Sequence, residues 1–468
     1  MNSNSTLNQK QDFHIADFQN YFFVGIAGTG MSAIAQYLKG IGKNVAGSDR
    51  LFNKENKLLI QSQFESQQIN CHFQDGSGIN ETTQVVVIST AIEETNVELQ
   101  KARSLNIKVI KRSELLAAIS AEKKTIAVGG TSGKSTTTAM IFHILQENGY
   151  NPSLMTGAGL TSLQKKGLPG NAWVGKSDWL VIEADESDGS IVNYIPEIGI
   201  VLNIDRDHKE FSELMELFTT FKGNTRGTFI VNNDHALTKS ISQSIKNDFG
   251  SVTESGFCHS NFTQTGFNIQ FKVNNIDFDI PVIGKHNMEN ATAAVAAAFA
   301  TGIGVADSAK ALKSYVGIFR RTQLVGEKNG RYVIDDFAHN PSEVEAAIKT
   351  CQMIGKKVFA WFQPHGYGPL KFMHEELSQK ISTTLRPVDY FLTSEVYYAG
   401  GTVNKDINSD VVVNAVKSNG KKALMVPDRN QIVREFNALS EQGDVLLLMG
   451  ARDPSLAEFA NSVLQGIN

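Results

Sequence analysis

The chain has 468 residues, 41% hydrophobic and 20% charged, which supplies apolar material for several cores and excludes an intrinsically disordered protein. Its 44 basic and 48 acidic residues leave a net charge of -4, without the electrostatic footprint of a nucleic-acid binder or a membrane-surface protein. The three cysteines, Cys71, Cys258 and Cys351, match no C-x-x-C or Cys/His spacing, so neither a disulfide framework nor a structural zinc site is indicated.

The first twenty residues are polar and nowhere do 18 apolar residues run together, so a cytoplasmic protein without a membrane segment is expected. Residues 22–26 read as an apolar strand, followed by a Gly-rich turn, a helix over 32–40 and a strand at 44–47, the opening of a β-α-β unit. Strands at 84–89 and 107–110 and a helix at 113–119 continue the parallel pattern up to a boundary near residue 119. A second start follows at once, with a strand over 124–128, a Gly-rich loop over 129–133 and a helix over 135–148. Strands at 179–183 and 198–203 are almost continuously apolar, as strands buried on both faces must be. Short β-rich runs fill 227–283, and an Ala-rich helix covers 287–300. After Arg320 and Arg321 a third alternation sets strands at 332–334, 357–361, 390–393, 423–426 and 444–449 among helices at 342–350, 374–382, 409–418 and 431–439. The expected class is α/β, with three domains, 1–119, 120–318 and 319–468, around open, mostly parallel sheets.

Three stretches carry chemistry. Gly25-Ile-Ala-Gly28-Thr29-Gly30-Met31-Ser32-Ala33 lies between a strand and a helix, and Asp49 follows 21 positions after Gly28, the spacing at which an acid meets a ribose hydroxyl. Glycines there let backbone N–H groups approach a diphosphate at the helix N-terminus, and the ligand is either a dinucleotide or a nucleotide sugar. Gly130-Thr131-Ser132-Gly133-Lys134-Ser135-Thr136 follows a strand and opens a helix. It has the parts of a P-loop for ATP: backbone donors, Lys134 for the β/γ-phosphates and Ser135 for Mg²⁺, in a variant with Val128 at the first glycine position. Glu183-Ala-Asp185-Glu186-Ser-Asp188 comes at a strand's carboxyl end, where ligands of open α/β sheets bind, and such a crowd of carboxylates suits a cation. His208, after the next strand, is either a ligand of Mg²⁺ or phosphate or a structural histidine.

The ordered set GIAGTGMSA, GGTSGKSTTT, EADESDGS, NIDRDH, GKHNMENATAA, FRR, DDFAHNP and FQPHGY resembles the Mur ligases of peptidoglycan synthesis, nearest their alanine-adding branch, over about residues 20–455. The resemblance implies an N-terminal Rossmann-like domain for a UDP-sugar, a central P-loop-type ATPase and a C-terminal Rossmann-like domain for an amino acid. It implies an ATP-dependent amide ligase, monomeric or homodimeric, in which the lactyl carboxylate of UDP-N-acetylmuramate is phosphorylated and then attacked by an amine. Lys134 would act on the transferring phosphate with Mg²⁺ held by Ser135, Glu183 and His208, Glu186 being the alternative metal ligand. By the same resemblance His286, Asn287 and Asn290 lie on the adenine and ribose side of ATP, Arg321 and Asp335 contact ATP, and His339, His365 and Arg452 face the amino acid. Arg320 reads equally as a linker charge.

Departures accompany the matches. Asn340 stands where the alanine-adding branch has a second histidine, and Gly366 and Pro369 stand where it has two arginines. A guanidinium ordinarily fixes an amino-acid carboxylate, so Lys371 and Arg452 become candidates for the replacement charge. The 335–341 motif is nearer that of the recycling ligases, which attach a ready-made tripeptide. Two further readings are a nicotinamide oxidoreductase using Gly28, Gly30 and Asp49, and an inactive nucleotide-binding regulator. Lys222, close to where several family members carry a carbamylated lysine, reads as an ordinary surface lysine.

Overall fold

A computed structural model describes residues 13–53, 57–205, 210–398 and 404–468, so His208 lies outside the described residues. The first sheet holds β1 (Asn20–Val24), β2 (Asn44–Asp49), β3 (Asn70–Phe73), β4 (Val85–Ile88) and β5 (Lys108–Lys111). They pair in the order β3-β2-β1-β4-β5, all parallel, the order of a Rossmann-like sheet whose reversal point lies beside β1. β3 is absent from the apolar pattern because it is an edge strand: Asn70 is exposed, Cys71 to Phe73 are half-buried, and no apolar run marks it.

The second sheet is built from β6 (Lys124–Gly129), β7 (Ser153–Met155), β8 (Ala172–Trp173), β9 (Trp179–Glu183), β10 (Ile198–Val201) and β11 (Thr228–Val231). Its order is β11-β10-β6-β9-β7-β8, parallel apart from the β7–β8 pair. One apolar core backs both sheets, joining Phe23, Ile34 and Leu38 to Leu180, Ile182 and Phe218. Next in the chain come the short strands β12 (Phe249–Gly250), β13 (Phe257–Thr265), β14 (Asn268–Val273) and β15 (Ile276–Ile280), a four-stranded sheet.

The last sheet contains β16 (Gln323–Lys328), β17 (Arg331–Asp336), β18 (Val358–Gln363), β19 (Tyr390–Thr393), β20 (Lys422–Met425) and β21 (Val445–Gly450). The order is β16-β17-β21-β18-β19-β20, with only the β16–β17 hairpin antiparallel. β18 and β21 are buried along their whole length, and Trp361 on β18 satisfies its indole N–H with Ser394 Oγ at 3.0 Å. The helix expected at 374–382 runs instead over Tyr367–Thr384, because Pro369 in its first turn needs no backbone donor and Gly366, at φ +105°, turns the chain into it.

The chain forms two compact units: Met1–Asn261 with Phe271–Asp279 and Met288–Val316, and Phe262–Gln270 with Ile280–Asn287 and Gly317–Asn468. Among the described residues no helix is long and apolar enough to cross a membrane.

Candidate functional site

Strand register builds the ATP loop. Val128 on β6 stands opposite Glu183 on β9, and Gly129 opposite Val201 on β10, so the loop after β6, the acidic run and Asn203 emerge at one carboxyl edge. Gly130 has φ +128°, and a Cβ there would stand 3.0 Å from the Leu202 nitrogen and 3.1 Å from that of Asn203. Asn203 straps the loop: its Oδ1 accepts from Ser132 N at 2.8 Å, its Nδ2 donates to Ser132 O at 3.0 Å, and its carbonyl accepts from Thr131 N at 3.2 Å. Thr131 Oγ1 accepts from Asp205 N at 2.9 Å. Gly133, at φ +87°, caps the helix Lys134–Glu147, whose first-turn N–H groups have no partner inside the helix and favour an anion.

Lys134 Nζ donates to Gly130 O at 2.7 Å and to both oxygens of Glu186, at 3.0 and 2.9 Å. Burial raises the Glu186 pKa and the Lys134 ammonium opposes it. Glu183 is held differently. Its Oε1 accepts from Thr156 Oγ1 and from Gly157 N at 2.8 Å, while a Cβ at Gly157 would stand 3.1 Å from Oε2. Glycine at 157 thus leaves Oε2 room for another ligand. Asn290 reaches the phosphate loop: its Oδ1 accepts from Thr137 Oγ1 at 3.3 Å and would lie 2.5 Å from a Cβ on Gly133. Asn287 is buried and donates to Ile283 O at 2.7 Å, and His286 is exposed with its ring against Gly284. Lys222 donates to Ser242 O at 3.2 Å, an ordinary lysine contact.

The Gly-rich loop after β1 leads into the helix Thr29–Gly40, with Gly28 at its N-cap. Asp49 is 6% exposed, and its oxygens accept from Ala27 N and Leu51 N, each at 3.0 Å. Its immediate work is therefore to fasten the loop, and a ribose contact would be an additional bond. Met31 and Ser32 are buried. A residue the sequence did not mark, Asn171, donates to Thr29 O and Ser32 Oγ, both at 2.7 Å, and accepts from Gln36 Nε2 at 2.9 Å. This buried amide ties the first turn of the helix to the segment before β8, and only long-range contact reveals it.

In the second unit Arg320 is 7% exposed, which removes the linker reading. Its Nε donates to Asp335 at 3.0 and 2.9 Å and its Nη2 to Gly450 O at 2.8 Å. Burial lifts the Asp335 pKa to about 6 against the pull of that guanidinium. Arg321 is more open, stacked over Phe337 at 5.4 Å and 3.8 Å from Glu343. Asn340 caps the helix Pro341–Gln352, accepting from Glu343 N at 2.9 Å, which gives the departure from histidine a local structural purpose. His339 Nδ1 lies 3.0 Å from Glu343 Oε2, and its ring meets His365 edge-on at 5.5 Å. Burial, with His339 and Arg452 nearby, drives the His365 pKa down to about 4, and its buried Nδ1 has no hydrogen-bond partner among the described residues. Arg452 is exposed at φ +62°, whereas Lys371 is engaged by Asp406 at 2.5 Å.

The chain is 33% identical to the UDP-N-acetylmuramate–L-alanine ligase of Synechococcus sp. (strain RCC307), over 93% of this chain and 94% of that protein. This chain belongs to the Mur ligase family. Three family models match it in order: the Mur ligase family catalytic domain at residues 20–124, the middle domain at 128–298 and the glutamate ligase domain at 320–452. The enzyme of the same name from Pelotomaculum thermopropionicum is 32% identical over 92% of this chain and 94% of its own length. In three dimensions the UDP-N-acetylmuramate-alanine ligase of Thermotoga maritima superposes with a TM-score of 0.78 at 24% identity, covering 96% of this chain and 98% of that one. A murein peptide ligase from Psychrobacter arcticus gives 0.66 at 19% identity, covering 96% and 99%. These two share the three-domain Mur ligase fold.

Proposed function

We propose that the protein is a cytoplasmic ATP-dependent ligase joining L-alanine to the lactyl carboxylate of UDP-N-acetylmuramate. The observation that carries this reading is the ion pair of Lys134 and Glu186 at the mouth of the glycine loop, in a chain similar along nearly its whole length to enzymes bearing that name. In Mur ligases ATP is the energy source because a free carboxylate offers only oxide or hydroxide as leaving group.

The lactyl carboxylate oxygen attacks the γ-phosphorus and ADP departs with the bridging oxygen's electrons. The neutral amine of alanine then adds to the acyl phosphate carbonyl, the nitrogen of the tetrahedral adduct loses a proton to solvent, and the C–O bond to phosphate breaks, releasing inorganic phosphate and leaving the amide. Lys134 turns from Gly130 O and Glu186 to the transferring phosphate, and the helix Lys134–Glu147 presents its N-terminal donors to the same group. The hard oxygens of Ser135 and Glu183 Oε2, the latter left open by Gly157, would hold Mg²⁺ together with His208, which the sequence proposes and which lies outside the described residues; the ion would supply charge neutralisation on the phosphates. Asn290 steadies the phosphate loop, and His286 and Asn287 serve the nucleoside. The Gly28–Ser32 loop, fastened by Asp49, receives the UDP moiety. By the family resemblance Arg321 is assigned to ATP, Asp335 holds Arg320, and His339, His365 and Arg452 are assigned to alanine, Arg452 to its carboxylate.

Phosphate release from ATP with Mg²⁺ and UDP-N-acetylmuramate, with alanine, other amino acids or tripeptide as acceptor and product mass recorded, tests the reading. An alanine-sized mass gain is expected. Release only with tripeptide changes the acceptor, and no release with any acceptor overturns the reading.

A further inference from the structure

One guanidinium at the sugar-nucleotide loop has no role in the assignments above. The stretch 25–33 contains no basic side chain, so on its own it offers a diphosphate only backbone donors. Arg112, the first residue of the helix Arg112–Ala121, supplies what is missing. A Cβ built on Gly30 would stand 2.7 Å from Arg112 Nη1 and 3.2 Å from its Cδ, so the side chain lies against the bare Gly30 backbone. Glycine at 30 leaves the arginine room to lie there. The far edge of the guanidinium is held, since Nη2 donates to Asp188 Oδ2 at 2.9 Å, while Asp188 Oδ1 accepts from Ser190 N at 2.9 Å. Arg112 and Asp188 keep 22% and 21% of their side chains exposed, so the pair remains open to solvent and to a ligand.

We propose that Arg112 binds the diphosphate of the sugar nucleotide, oriented by Asp188. The proposal rests on the reading of the Gly28–Ser32 loop as the UDP-sugar site. A planar guanidinium has five donors, and Asp188 engages one edge, leaving the edge over Gly30 for phosphate oxygens. Charge-assisted bonds of this kind give a diphosphate an anchor that the uncharged loop lacks.

The test measures Kd for UDP, UDP-N-acetylmuramate and ATP by calorimetry. Arg112→Ala should weaken both uridine nucleotides roughly 10- to 100-fold with ATP affinity unchanged, the intact ATP binding reporting a folded protein. Arg112→Lys should recover part of the loss. A charge swap, Arg112→Asp with Asp188→Arg, rebuilds the ion pair but removes the guanidinium from Gly30, so its uridine-nucleotide affinity should stay low. Recovery in the swap, or unchanged affinity in Arg112→Ala, overturns the proposal while leaving the ligase reading intact. Wild-type protein that binds ATP but neither uridine nucleotide overturns both.

Discussion

Lys134 and Glu186 form a largely buried ion pair, Nζ to Oε2 2.9 Å, in which the two side chains are 16% and 7% exposed. Glu183, three residues before Glu186, makes no such pair among the described residues and is held instead by Thr156 and Gly157. The two acids are thus different in kind. Glu183→Gln should lower kcat by about 10²- to 10³-fold and raise the Mg²⁺ concentration needed for half activity, as expected for loss of a preorganised charge. Glu186→Gln should cost less than about tenfold, since it removes a resting partner of Lys134. Mg²⁺ titrations of kcat check both, and the reverse ranking would make Glu186 the metal ligand.

Breaking the resting pair from the other side has a stability cost. Lys134→Ala should abolish phosphate transfer and also destabilise the protein by about 3 kcal/mol, because it strands a buried carboxylate. Lys134→Ala combined with Glu186→Gln should regain much of that stability without regaining activity. Denaturant unfolding beside a phosphate-release assay separates the two effects.

Asn203 makes three hydrogen bonds to the phosphate loop across 71 or more residues of chain. Two of them use its side chain, so Asn203→Ala should cost about 1–3 kcal/mol and raise the KM for ATP more than it lowers kcat. Steady-state kinetics at saturating UDP-N-acetylmuramate read this directly.

The His339–Glu343 pair predicts a pH dependence. Burial opposes both charges, but their mutual hydrogen bond and attraction raise the His339 pKa above its ordinary 6.5 and lower that of Glu343 from 4.5 to about 2. The histidine's contribution is complete below about pH 6.5 and fades as pH rises through its raised pKa. The glutamate's contribution is present above about pH 4.5 and fades as pH falls toward 2. Thermal melts of wild type and Glu343→Gln should therefore differ most near pH 5.5 and converge at high pH.

Arg452 is a cation near His365, while Lys371 is engaged by Asp406. Arg452→Ala should raise the KM for alanine about tenfold or more with ATP kinetics unchanged. An unaltered KM removes Arg452 from the acceptor site.

The order of strands and helices, the phosphate loop and the acidic run were legible in the sequence because strands buried on both faces are apolar throughout and glycine-rich turns mark where backbone meets phosphate. What escaped was of two sorts. Edge strands such as β3 and β16 are partly exposed and carry no apolar run. Partners far apart in sequence leave no local mark: Arg112 lies 76 residues from Asp188, and Asn171 lies 139 from Ser32. The sequence by itself determined the family and the residue types gathered at each strand's end. Only the tertiary structure decided which acid Lys134 holds, that Asp49 is committed to its own loop and that Arg320 is buried on Asp335. Those choices depend on which strands become neighbours and in what register, and register follows from the packing of whole sheets rather than from any local run of residues.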